Sequence, residues 1–350
     1  MRCLTIRKCT ARLRVFILVP ALAAGLIGQA GRSGAEDPIK EGFEGRSVEK
    51  DINPRFKVCH RPENTFGFNG EVAKSGRQSL ELSILPPPTV TAFAKKMVRL
   101  NPEQCKVEHE EEKFKGDNYE RAEIWEDKTQ NPLFGEDKPM FYGFSMRVDQ
   151  TGIPPDGLKR LVLGQWKASC KGWCDASPFL AQRLTGGFYH ITLDVDAYAE
   201  TAGRQEGRTC KVLLAFAKGR PTLFDAPLAL DRPVQCESRL QDPPMAENML
   251  KINYPLEIKR EAYLPDPFGD KWTDLVFSVQ GGRKDGVTQV WAGGQLIATA
   301  KGWIGHYISA GQKQYFKYGP YRDKADYGIT VYLDNLARGG TYDEVDPEKF

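Results

Sequence analysis

Three short stretches place polar and ionisable side chains two residues apart: Arg121-Ala-Glu123, Gln165-Trp-Lys167 and Lys317-Tyr-Gly319-Pro-Tyr321. On a β-strand, residues i and i+2 face the same side of the sheet. If the three stretches are adjoining strands, one cleft is lined by Arg, Glu, Gln, Lys and Tyr. Its cations would meet an acidic ligand locally. Gly319, between Lys317 and Tyr321, would leave room for a ligand to approach the backbone.

The elements needed to position these residues are legible as strands. Alternation of apolar and polar residues marks 120–126, 141–149, 158–167, 187–195, 211–217, 272–280, 288–291, 295–300 and 328–333. An alternating stretch within 71–85 ends at Pro86-Pro87-Pro88, and residues 36–60 read as a first strand region. Gly293-Gly294 predicts a tight hairpin. Periodic helical patterns are scarce. Many strands punctuated by Gly, Pro and Asp predict an all-β sandwich or jelly roll. Residues 218–270, rich in Pro and charge, read as long loops over one rim with a short helix at 245–249. The acidic run within 101–118 reads as a solvated loop.

The N-terminus has the form of a secretory signal. Arg2, Arg7, Lys8, Arg12 and Arg14 precede a 13-residue apolar run at 15–27, followed by small-residue sites at Gly28-Gln29-Ala30 and Ser33-Gly34-Ala35. The run is short for a membrane span. The expected organisation is a signal at 1–35 and a single domain at 36–350. Residues 1–35 carry six basic and no acidic residues. Without them 43 basic residues face 46 acidic ones, a net of −3 against +3 for the whole chain. No global basic field points to nucleic acid. After signal cleavage no stable membrane insertion is expected, and the chain is expected to be a secreted or periplasmic monomer.

Six cysteines remain beyond the signal: Cys59, Cys105, Cys170, Cys174, Cys210 and Cys236. An even number in an exported chain suggests disulfides. The expected pairing, one of the 15 that six allow, is Cys59–Cys105, Cys170–Cys174 and Cys210–Cys236. A zinc site is the alternative, without a Cys-x-x-Cys pair or a His cluster to support it.

Arg121-Ala-Glu123, Gly164-Gln165-Trp166 and Tyr-x-Lys-x-Gly-x-Tyr-Arg at 315–322, in this order, resemble the polysaccharide lyase group containing heparin lyase I and glucuronan lyase. The jelly-roll alginate lyases are similar more distantly. Residues 142–146 (YGFSM), Ser177-Pro178-Phe179, and Trp272 followed by the hairpin at 290–294 fit the same group, over roughly 115–335. The resemblance implies a concanavalin A-like β-jelly-roll sandwich of two antiparallel sheets. It also implies β-elimination at a uronic acid of an acidic polysaccharide. Arg121 and Gln165 would neutralise the carboxylate. Tyr321 would act as acid and in some members also as base, with Lys317 stabilising its ionised form. Glu123 would orient Arg121 or Lys317. Trp166, Arg183 and Arg322 are further substrate-binding candidates. No redox cofactor and no metal site is implied. A structural Ca²⁺ is compatible with the fold, but no ligand loop is visible.

One position departs from the group. Relatives commonly carry a histidine two residues after the motif glutamine, and this chain has Lys167. A protonated lysine is a poor base. Tyr321 serving as both base and acid, Lys167 with a lowered pKa, or His190 could replace it, in that order.

Blander readings compete. Arg121–Glu123 could be a cross-strand ion pair, and Gln165 could satisfy backbone groups. Tyr315 and Tyr318 read as packing residues, and His190 as structural. Trp166, Trp173 and Trp303 could stack on sugars or pack the core. A non-catalytic lectin-like module on the same fold is the alternative from another class. A jelly-roll glycoside hydrolase would need two carboxylates across the scissile bond, and alternation puts Glu123 and Glu126 on opposite faces.

Overall fold

The computed structural model describes residues 38–60, 65–86, 119–126, 138–149, 160–168, 178–199, 209–219, 223–240, 250–252, 255–305 and 314–350. The signal-like segment, Cys105, Cys170, Cys174, the run 101–118 and the expected helix at 245–249 lie outside them.

Two antiparallel sheets face each other. The first contains β1 (Ile39–Glu41), β3 (Thr65–Asn69), β4 (Ser79–Ile84), β6 (Met140–Asp149), β12 (Leu256–Arg260), β13 (Thr273–Gln280), β14 (Gly282–Ala292), β15 (Gln295–Ile304) and β17 (Ile329–Gly339). Its order is β12-β15-β14-β13-β6-β17-β4-β3, with β1 on β17. The second contains β2 (Phe56–His60), β5 (Tyr119–Glu126), β7 (Leu161–Ala168), β8 (Leu180–Thr185), β9 (Phe188–Ala199), β10 (Thr209–Phe216), β11 (Leu250–Ile252) and β16 (Gln314–Asp323). Its order is β10-β9-β8-β7-β16-β5-β2, with β11 on β9. Successive strands such as β6 and β7, or β16 and β17, enter opposite sheets. The chain is therefore an all-β jelly-roll sandwich. Gly293 and Gly294 supply the positive φ angles, 52° and 75°, of the β14–β15 hairpin.

Alternation builds the core. Tyr142, Phe144, Met146 and Val148 of β6 and Leu275, Phe277 and Val279 of β13 point inward from the first sheet. Ala122 and Ile124 of β5, Trp166 of β7, and Phe316 and Tyr318 of β16 meet them from the second. Trp166 lies 4.5 Å from Phe277 and 4.6 Å from Phe316 between ring centroids. Each such buried side chain contributes about 1.5–3 kcal/mol. One charged knot sits in this apolar layer. Glu126 of β5 accepts hydrogen bonds from the Arg338 guanidinium of β17, from Phe316 N at 3.0 Å and from Tyr142 Oη at 3.3 Å. Burial raises its pKa against the pull of Arg338.

The described residues within 218–270 carry more regular structure than their composition suggests. They contribute β11 and β12, and residues 223–240 cover the outer face of the second sheet over β9 and β10. Phe188, Leu213, Phe216, Leu228 and Leu240 form a second apolar cluster there, with Phe224 and Tyr263 against it. The Cys210–Cys236 disulfide ties this cover to β10, as does the bond from Glu237 N to Lys211 O at 2.8 Å. Pairing between β10 and β9 slips between Leu213 and Ala215. Arg260 of β12 donates to the carbonyls of Leu213 and Leu214 there, and to those of Leu230 and Arg232 in the cover. Charge in this segment thus fastens a loop to a bulge.

Candidate active site on the outer face of the second sheet

The three motif stretches fold as β5, β7 and β16, and β16 lies between the other two. Lys317 is flanked by Trp125 on one side and Gln165 on the other; Tyr321 is flanked by Arg121 and Val162. Ala122, Ile124, Phe316 and Tyr318 fill the core, so their neighbours turn to the opposite face. Arg121, Glu123 and Trp125 share that outer face with Lys317 and Tyr321. Gln165 reaches Glu123 on it.

The strand is irregular where these residues meet. Tyr318 pairs with Gly164 but Tyr321 pairs with Val162, so Gly319 and Pro320 oppose Leu163 alone. Gly319 has φ +128°, and a Cβ there would overlap the Ala122 carbonyl oxygen. The glycine is required by its own backbone and by the close approach of β5. It is not explained by space left for a ligand.

The Tyr321 ring is approached by two guanidinium groups. Arg121 Cζ is 4.6 Å from the ring centroid and Arg160 Cζ is 5.2 Å from it. Arg160, just before β7, also forms an ion pair with Asp323 at 2.8 Å. Arg121 lies 3.7 Å from Glu123 Oε2. The Gln165 amide donates to Glu123 Oε1. The Lys317 ammonium sits 3.2 Å from the Trp125 ring centroid and 5.3 Å from that of Tyr315. This distributes charge differently from the sequence expectation: two arginines flank the phenol, and Lys317 rests on an aromatic cradle. Lys167 is half-buried on β7 opposite Tyr315.

The same face continues over β8 and β9. Arg183 donates from Nε to Thr192 Oγ1 at 2.9 Å. His190 pairs with Arg183 across the sheet, which places it three strands from Tyr321, roughly 14 Å at ordinary strand spacing. Its ring stacks on Phe188 with centroids 5.0 Å apart, and Nδ1 lies 2.9 Å from the Phe188 carbonyl oxygen. That carbonyl accepts only if Nδ1 carries the proton, which leaves the lone pair on Nε2. Complete burial pushes the pKa down to about 3, and the Arg183 charge acts in the same direction.

Two expected substrate-binding residues require correction. Trp166 points between the sheets and is wholly buried against Phe277 and Phe316, so it cannot stack on a sugar from the outer face. Arg322 points to the side of the sheet opposite Tyr321. It is buried, bonded to Glu120 at 2.9 Å and to the Tyr327 carbonyl at 2.5 Å. Both lie one residue out of phase with the outer face. Trp125 and Arg160, which the structure brings against Lys317 and Tyr321, are not among the expected site residues. Trp125 stands two residues past Glu123 on the same strand, a spacing that puts it on the motif face. Arg160 lies in the expected strand 158–167, but simple alternation from Gln165 puts it on the other face, and the slip between Val162 and Gly164 reverses that.

Cys59 pairs in register with Glu123 across β2 and β5, but its side chain, like Cys105, Cys170 and Cys174, is outside the described residues. Among the described residues no group of three or more His, Cys, Asp or Glu side chains could hold a metal ion. No helix among them is long and apolar enough to cross a membrane.

No protein-family model matches this chain, and no curated protein sequence matches it. Among solved structures it is similar to an endo-β-1,4-glucuronan lyase from the fungus Trichoderma reesei. The identity is 13%, the TM-score 0.49, and the match covers 83% of this chain and 93% of that one. It is also similar to a cellulose-induced protein, at 13% identity and TM-score 0.43, over 87% of this chain and 97% of that one. A family 7 alginate lyase solved in complex with substrate matches at 10% identity and TM-score 0.44, over 85% of this chain and 98% of that one.

Proposed function

We propose that this outer face binds a uronate-containing polysaccharide and cleaves it by β-elimination. The observation that carries the reading is the placement of the Tyr321 ring beside two guanidinium groups, one of which, Arg121, lies near Glu123, the hydrogen-bond partner of Gln165. A proton α to a carboxylate is very weakly acidic. Arg121 and the second N–H of Gln165 would hold the uronate carboxylate and stabilise charge as it spreads from C5. Tyr321, ionised, takes the C5 proton; the C5–H electron pair becomes the C4–C5 double bond; the C4–O4 bond breaks. The proton now on Tyr321 passes to O4 of the leaving chain. One phenol returns to its starting state.

His190 suits the base role poorly. It is neutral, but a group with a pKa of about 3 accepts a proton weakly, and it is sealed beneath the cover three strands away. Lys167 stands two residues from Gln165 but five residues along β7 from Val162, the neighbour of Tyr321, roughly 17 Å from the phenol strand position at ordinary strand spacing. Trp125 takes the part of an aromatic platform under Lys317 and is well placed to order it toward ligand.

A hydrolase reading is disfavoured by spacing. Among the described residues the carboxylates of this face are Glu123, Asp194 and Asp323. Glu123 and Asp194 stand four strands apart, roughly 19 Å, and Glu123 and Asp323 about 14 Å apart along adjacent strands. Hydrolysis needs carboxyl pairs about 5–9.5 Å apart. Export through the signal-like N-terminus is part of the proposal, and the Cys210–Cys236 disulfide supports an oxidising compartment.

The test is ultraviolet absorbance on glucuronan, alginate, heparin, heparan sulfate and acidic exopolysaccharides. A rise from the 4,5-unsaturated uronate is expected on at least one. Binding without product would establish the lectin-like alternative, and new reducing ends without unsaturation a hydrolase.

A further inference from the structure

Arg160 belongs to none of the three motifs and has no part in the steps above. We propose that Arg160, braced by Asp323, is a positioning residue that together with Arg121 holds the Tyr321 phenol in an ionisable state. The inference rests on the reading of Tyr321 as the group that moves the proton.

The geometry supplies the reason. A phenol ordinarily ionises near ~10, too high for a base at neutral pH. An opposite charge within about 4–6 Å lowers such a value by roughly 1–3 units. Arg121 and Arg160 both lie in that range of the ring, and their side chains are only 17% and 20% exposed, so solvent screens them incompletely. Each also has a carboxylate at hand: Glu123 at 3.7 Å from Arg121 and Asp323 at 2.8 Å from Arg160. Among the described residues, further charged groups on this face are Lys317 on the same strand and Arg183 beyond Val162. The Arg322–Glu120 pair lies on the other side of the sheet. Among these described residues four cations face two carboxylates, Glu123 and Asp323. The Asp323 bond holds the Arg160 charge beside the ring. Arg121 is committed to a second task, meeting the substrate carboxylate. Arg160 supplies a charge that stays with the phenol when substrate enters.

The experiment is a pH titration of ¹³C-labelled tyrosine by NMR on the intact protein, with the Tyr321 resonance assigned by its absence in Tyr321→Phe. Arg160→Gln and Arg160→Met should each raise the Tyr321 midpoint by about one unit or more, with near-ultraviolet circular dichroism confirming the fold. Arg160→Lys should return most of that shift. A midpoint unmoved in both neutral variants, or as high in Arg160→Lys as in Arg160→Gln, overturns the proposal. The titration needs no substrate. A chain that shows the shift but never yields unsaturated product keeps this inference and loses the lyase reading.

Discussion

Gln165 and Glu123 are hydrogen-bonded to each other although they stand on strands that are not neighbours. β16 runs between them, and the register puts the crossing between Lys317 and Tyr321, over Gly319. Two side chains bridging a strand demand a low, fixed backbone beneath them. Gly319, with φ +128°, gives that backbone.

Gly319→Ala should therefore be costly twice. The left-handed backbone disfavours any Cβ, and this one would overlap the Ala122 carbonyl. A loss of about 1–3 kcal/mol is expected for the backbone alone, read from urea denaturation. Activity should fall further than stability, because Lys317 and Tyr321 flank the glycine. A variant as stable as the parent would show that the strand can pass beneath the bridge in an ordinary conformation.

Tyr321→Phe separates chemistry from binding. The ring keeps its contacts with Arg121 and Arg160, while the hydroxyl proposed to move the proton is lost. The turnover number should drop about 10²- to 10⁴-fold with KM little changed, since the missing group acts in the transition state. Lys167→Ala should cost less. Normal turnover by Tyr321→Phe, measured as unsaturated uronate formed, would remove Tyr321 from the mechanism.

The two-sheet fold was legible because apolar alternation is strong in β6 and β13. The shared face of Arg121 and Glu123 on β5 was legible for the same reason, by the i, i+2 rule, and Lys317 and Tyr321 join it on either side of the irregularity at Gly319 and Pro320. Trp166 and Arg322 failed where motif membership was allowed to outweigh that rule, since both are one residue out of phase. The slip of β7 at Leu163 and the use of Gly319 for backbone strain depend on how three strands pair, which no single strand encodes. The cover at 223–240 comes from chain outside the strand pattern, where periodicity is silent, and Arg160, inside the expected strand 158–167, is put out of phase with Gln165 by the slip at Leu163.

The Glu126–Arg338 pair predicts a strong asymmetry. Arg338→Met strands a carboxyl in the core, and removing one partner of a buried pair typically costs about 3–5 kcal/mol. The sign with pH follows from the raised pKa of Glu126. Its folded state holds a proton more tightly than the unfolded chain, so the penalty is absent below about 4.5, the unfolded value, and grows as pH rises. Without Arg338 the rise should be steeper. Melting temperatures of parent and variant should lie closest near pH 4 and separate toward pH 7. A separation that does not change with pH would mean that Glu126 remains protonated throughout.

His190 should dominate acid sensitivity in the opposite sense. Its folded pKa, about 3, lies below the ordinary value of 6.5, because burial excludes the charged ring. The unfolded chain therefore takes up a proton first. The stability that His190 gives is complete above about 6.5 and is lost as pH falls toward 3. The loss per proton is about 1.4 kcal/mol for each pH unit. His190→Phe, which refills the slot stacked on Phe188, should lower the dependence of unfolding free energy on pH between 6.5 and 4 by about one proton. The same variant bears on catalysis. If Nε2 accepted the substrate proton, His190→Phe would abolish elimination; with Tyr321 in that role, it should retain most of its turnover at pH 7 while gaining stability in acid.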